Sequence, residues 1–143
     1  NGKSTEMAAL GTYMLAGDGE GGSECYSVAT KKDQARIVFS EAVNMVSQSP
    51  ALSKHVKKRK TDLYFPVTFS KYEPLASDSN SLDGLNSHFV IMDELHAIKN
   101  RDLYDVMADF AEGAPHKQIA IEFKQFHNKS QNYRKRRRIH GVV

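Results

Sequence analysis

The sequence predicts an α/β fold, a mainly parallel sheet flanked by helices. Three observations predict it. Residues Asn1-Gly2-Lys3-Ser4-Thr5 form the second half of a phosphate-binding loop and lead straight into apolar residues at helical spacing. Phe89-Val90-Ile91-Met92 is a continuous apolar run that ends in Asp93-Glu94, and such a run is what a parallel strand covered on both faces requires. Between the two, strand-like and helix-like segments alternate, as in βα units.

Taken in order, Met7, Leu10, Met14 and Leu15 recur at helical spacing, and Gly17-Asp18-Gly19-Glu20-Gly21-Gly22 stops that helix. Residues 24–29 read as a short, mostly buried strand. Thr30 with Asp33 three residues on is a capping signal, and Ala35, Val38, Phe39, Ala42, Met45 and Val46 line one face of a second helix ending near Ser47. Ser49-Pro50 supplies an N-cap and a first-turn proline for a short helix through about Val56. Leu63-Tyr64-Phe65 and Val67-Thr68-Phe69 have strand composition broken by Pro66, which predicts an edge strand or a hairpin. A polar connection over 77–81 and the segment 83–86 precede the apolar strand. Leu103, Val106, Met107 and Phe110 mark a further helix, and residues 118–123 alternate as a strand does.

The chain has 143 residues, 40% of them hydrophobic, enough for one ordinary core. That is short for a whole domain built on a phosphate loop, and the chain opens inside the motif, so a fragment of a larger core is expected. The single cysteine, Cys25, excludes an internal disulfide framework and a multi-cysteine metal site, and its apolar surroundings predict an inert buried thiol. No apolar run is long enough to span a bilayer. The net charge of +3 is unevenly placed. Residues 1–116 carry 12 Lys+Arg against 16 Asp+Glu, a balance of −4, and residues 117–143 carry 8 against 1, a balance of +7. Two basic runs stand out, Lys57-Lys58-Arg59-Lys60 and Arg134-Lys135-Arg136-Arg137-Arg138. Either could hold a phosphate backbone; the plainer reading is a solvated helix end for the first and a solvated, disordered end for the second.

The chemistry concentrates at two places that a parallel α/β sheet brings together. Ligands sit outside the carboxyl ends of its strands, where Asp93 and Glu94 emerge and where a helix opened by Gly2-Lys3-Ser4 directs its free N–H groups. Asn1, Gly2, Lys3, Ser4 and Thr5 are therefore expected to hold the phosphates of ATP. Ser4 and Asp93 would hold Mg2+, and Glu94 would polarise the attacking water. This is the P-loop NTPase-type (ASCE) arrangement, here incomplete. His96 either senses the nucleotide or only hydrogen-bonds locally.

Asn1-Gly2-Lys3-Ser4, Tyr26-Ser27-Val28-Ala29-Thr30-Lys31-Lys32-Asp33-Gln34-Ala35, Ser81-Leu82-Asp83-Gly84-Leu85-Asn86, Met92-Asp93-Glu94-Leu95-His96-Ala97 and Asn100-Arg101-Asp102-Leu103-Tyr104 resemble the large terminase subunit of tailed bacteriophages. The resemblance covers residues 1 to about 108. It implies the N-terminal ATPase domain of a DNA-packaging motor, with a nuclease domain absent from this chain. Lys3 and Ser4 carry over as the end of the Walker A motif, Asp93 as the metal-site carboxylate and Glu94 as the catalytic one. Double-stranded DNA, a small terminase subunit, the portal protein and a homo-oligomeric ring are implied as partners, with no membrane, in the bacterial host cytoplasm.

The family would follow its helix with a strand ending in a Thr-Thr-Ala-Gly-like motif, and this chain has none. The expected division is therefore residues 1–108, a partial ATPase domain, and 109–143, a divergent basic tail, non-native or disordered, from a disrupted prophage gene or an altered reading frame. Poor ATP hydrolysis is expected of the truncated chain. Two other readings stand beside this one: a fragment of a DExH-type helicase, which Asp93-Glu94-Leu95-His96 also fits, and a non-catalytic prophage remnant whose basic tail binds nucleic acid nonspecifically.

Overall fold

The computed structural model describes residues 2–76 and 87–92, and the backbone of 118–121. Helix α1 (Gly2–Ala16) comes first, followed by strand β1 (Glu24–Ala29), helix α2 (Lys32–Gln48) and helix α3 (Pro50–His55). Strands β2 (Lys57–Lys58), β3 (Leu63–Phe65), β4 (Ser70–Ala76), β5 (Ser87–Met92) and β6 (Gln118–Ile121) complete the described elements. They form one six-stranded sheet in the order β2-β3-β4-β1-β5-β6. β4, β1, β5 and β6 are mutually parallel, and β3 and β2 extend the sheet antiparallel.

The register explains the buried runs. Cys25 pairs with Phe89 and Ser27 with Ile91, and their side chains share the face on which α1 and α2 pack. Ala8, Met14, Leu15, Val38, Ala42 and Val46 meet Cys25, Tyr72, Phe89 and Ile91 there. Tyr26, Val28, Val90 and Met92 alternate onto the opposite face and are buried as well, as a parallel strand covered on both sides demands. The face α1 buries differs from the expected one. Ala8, Gly11, Thr12 and Leu15 go inward with Met14, whereas Leu10 is exposed and Met7 only half-buried. Gly11 is the reason: a Cβ there would stand 3.1 Å from both Ile91 and the Tyr72 ring, so the helix sits close to the sheet along its small residues.

Two further local expectations are corrected. The N-cap of α2 is Lys31, with no side-chain cap bond; the Thr30 hydroxyl instead donates to Gln34 Oε1 at 3.1 Å. Residues 66–69 are a turn, closed by Phe69 N–H to the Pro66 carbonyl, with Phe69 at φ 58°, so Val67 and Phe69 stand exposed outside any strand. The strand begins at Ser70 and continues through Pro74. Proline is tolerated because β3 pairs with β4 only as far as Tyr72, leaving Pro74 with the single neighbour β1. The short helix α3 keeps its expected cap, Ser49 Oγ accepting from Leu52 N–H.

Candidate functional site

Gly2, Lys3, Ser4 and Thr5 form the first turn of α1. Its direction follows from two contacts. Asp18, just past the end of the helix, bonds His88 at the start of β5, and Gly11 lies against Ile91 near the end of that strand. α1 is therefore antiparallel to β5. Nine helical residues separate Gly11 from Gly2, about 13 Å, whereas one strand residue, about 3.3 Å, separates Ile91 from Met92. The first turn of α1 thus projects roughly 10 Å beyond the described end of β5, on the carboxyl edge of the sheet.

β1 brings a second helix to the same edge. Val28 pairs with Met92, and α2 begins three residues after β1 ends. Two helix N-termini and the carboxyl ends of four parallel strands consequently share this edge, with Lys3, Lys31 and Lys32 exposed on it. α1 has no acidic residue in its first turn, and Asp33 of α2 is 94% exposed beside Arg36. Helix dipoles and cations both favour an anion at such an edge. Among the described residues, a Cβ placed on Gly2 would meet nothing within 4 Å.

Asn1, Asp93, Glu94 and His96 lie outside the described residues, as do the segments 83–86 and 103–110 and the basic run 134–138. The structure thus places Gly2, Lys3, Ser4 and Thr5, and carries the strand of the acidic pair to its last apolar residue, Met92. Among the described residues no cluster of His, Cys, Asp and Glu could hold a metal. Neither is any helix among them long and apolar enough to cross a membrane. Cys25 is fully buried, and burial pushes its thiol up to about 12, which keeps it protonated and inert. Sequence reasoning missed the Thr30–Gln34 pair, one strand over from Met92. Its only signal was a threonine and a glutamine four residues apart, which also fits an ordinary helix start.

The family model for the terminase large subunit, ATPase domain, matches residues 1–133. The chain belongs to that family. The matched span takes in β6 and runs past the expected division at 108/109. Among solved structures, the large terminase of bacteriophage HK97 is similar at a TM-score of 0.73 and 24% identity, over 85% of this chain and 26% of that one. The large terminase ATPase domain of Thermus phage P74-26 gives 0.68 at 21% identity, over 84% and 54%. The large terminase of the thermophilic bacteriophage D6E gives 0.59 at 12%, over 80% and 29%. At these identities the likeness shows the fold, which is the P-loop ASCE type. The chain spans between about a quarter and just over half of the structures it matches. No curated protein matches the chain. The family match favours the terminase reading over the helicase one.

Proposed function

We propose that this terminase domain binds ATP at the carboxyl edge of its sheet and hydrolyses it to drive double-stranded DNA into a phage procapsid. The observation that carries the reading is the first turn of α1, free of acid and bearing Lys3 and Ser4, projecting past the strand that leads into Asp93-Glu94. N–H groups of the turn and the Lys3 ammonium hold the outer phosphates and offset the charge that develops on the transferred phosphoryl group. Ser4 and Asp93 would hold Mg2+, which would neutralise part of the phosphates' charge. Glu94 accepts a proton from the attacking water and orients it. In the longer protein the domain works in a homo-oligomeric ring with a small subunit and the portal, in the bacterial host cytoplasm.

Binding of a fluorescent ATP analogue with magnesium by this chain, and single-turnover hydrolysis by the longer protein, test this. Lys3→Ala should weaken binding about tenfold or more, whereas Glu94→Gln should keep binding and slow hydrolysis by roughly 10²-fold or more. Unaltered binding by Lys3→Ala, or an unaltered rate in Glu94→Gln, would sink the reading.

A further inference from the structure

Thr30 is the first residue past β1, on the carboxyl edge where the first turn of α1 and the start of α2 gather. Its hydroxyl donates to Gln34 Oε1 at 3.1 Å, and both side chains are half-buried. A threonine in front of a helix ordinarily accepts a backbone N–H of the first turn. Here the Lys31 carbonyl accepts the N–H groups of Gln34 and Ala35 instead, and the cap residue makes no side-chain bond. Thr30 therefore does little for the helix itself. What its bond fixes is the Gln34 side chain: with Oε1 held by the hydroxyl, the amide hydrogens are aimed away from Thr30.

The sheet register relates this pair to the acidic end of β5. β1 and β5 are adjacent and parallel, with Ser27 opposite Ile91 and Val28 opposite Met92. Thr30 is two residues past Val28, and Glu94 is two past Met92. Neighbouring strands keep a spacing of about 4.8 Å, within reach of a glutamate and a glutamine side chain. Glu94 can take a proton from water only while one of its oxygens points at that water, so a carboxylate just past a strand needs a fixed donor to aim it. A neutral amide suits this task. A cation such as Lys31 or Lys32, both exposed beside it, would pair with the carboxylate and lower its basicity.

We infer that Thr30 and Gln34 are positioning residues for Glu94: the Thr30 hydroxyl orients the Gln34 amide, whose hydrogens hold one Glu94 oxygen and leave the other to the attacking water. This role rests on the ATPase reading and adds two residues to it. Neither touches the reacting atoms; both act through Glu94.

Single-turnover hydrolysis by the longer protein tests it. Gln34→Leu should slow the reaction about tenfold or more, and Thr30→Val about three- to tenfold, the scale of one hydrogen bond to a charged group. Thr30→Ser keeps the hydroxyl and should restore the rate. Binding of the fluorescent ATP analogue with magnesium should be unchanged in all three, so that the loss falls on the rate and not on affinity. In a Glu94→Gln background, Gln34→Leu should slow the residual reaction no further, because residues that act as a unit are not additive. A second readout needs no turnover. In this chain the side-chain amide resonances of Gln34, assigned by their loss in Gln34→Leu, should shift in both Thr30→Val and Glu94→Gln. A full rate in Gln34→Leu beside a slow Glu94→Gln overturns this role. So does an equal fold-loss from Gln34→Leu in the Glu94→Gln background, and so do Gln34 resonances that ignore Glu94→Gln. An unaltered rate in Glu94→Gln itself is a different failure, since it sinks the ATPase reading and this role with it.

Discussion

His88 Nε2 lies 2.8 Å from Asp18 Oδ2, joining residues 70 positions apart in the chain. His88 is 8% exposed and Asp18 28%, so the bond fixes the trailing end of α1 against the amino end of β5. The far end of the same helix carries Lys3, and the far end of the same strand leads into Asp93. One contact on the bottom edge therefore helps to set the tilt of the first turn of α1 on the top edge.

Asp18→Ala and His88→Ala should each cost about 1–2 kcal/mol of stability, through loss of a charge-assisted hydrogen bond between partly buried groups. Denaturant unfolding measures this. The same variants should bind nucleotide more weakly than their stability loss accounts for, when assayed well below their melting points. Unchanged nucleotide binding would show that the latch serves stability only.

Gly11→Ala sets two effects against each other. Helix propensity favours alanine by about 1 kcal/mol. Against it, the new Cβ would lie 3.1 Å from Ile91 Cδ1 and from the Tyr72 ring. That ring has little room to yield: its hydroxyl is hydrogen-bonded to Ser27 Oγ in the core, and Phe39 packs edge-on to it at 5.5 Å and 75°. Overpacking of this kind costs about 1–3 kcal/mol, so the net change should be a loss of about 1 kcal/mol. A rise in melting temperature would mean that the helix lifts off the sheet freely.

Why some of this was legible in the sequence is clear from particular residues. β1 and β5 are buried on both faces, so Tyr26 to Ala29 and Phe89 to Met92 read as strands directly. Ser49-Pro50 announces α3 through local chemistry that needs no tertiary partner. β4 was not legible, because Ser70, Lys71, Glu73 and Pro74 are poor strand residues accepted only where β1 and β3 supply partners. The edge strand β2 was hidden by charge. At the site, Gly2-Lys3-Ser4 fixes the turn because the motif is contiguous, whereas the Thr30–Gln34 bond depends on side-chain directions that spacing alone leaves open.

Phe69→Asn should stabilise the protein. Phe69 holds φ 58° with its ring 76% exposed, so it bears the left-handed backbone strain with little burial in return. That conformation costs an ordinary side chain about 1–2 kcal/mol, and asparagine adopts it more readily without the added chain freedom of glycine. A gain of about 0.5–1 kcal/mol in chemical denaturation is expected. A loss would show that the ring is buried against something in solution.

Alkaline pH should destabilise this protein before most surface charges change. Burial pushes the Cys25 thiol from 9.0 up to about 12, with the Asp18 charge adding to the rise. Burial likewise raises Tyr26 and Tyr72 above their ordinary 10.0. All three are acids that the native state keeps protonated. Below pH 9 both states hold these protons and stability does not depend on them. Above it the unfolded chain releases the Cys25 proton while the native state retains it until about pH 12, so stability falls by up to roughly 1.4 kcal/mol per pH unit. Between pH 9 and 10 the cysteine acts largely alone, because the unfolded tyrosines have yet to titrate. Melting temperatures across pH 7 to 11 should therefore decline from about pH 9 in the parent. In Cys25→Ala they should start lower by a constant offset for the lost sulfur but hold nearly level until about pH 10. Parallel curves for the two proteins over that window would rule out the buried thiol as the cause.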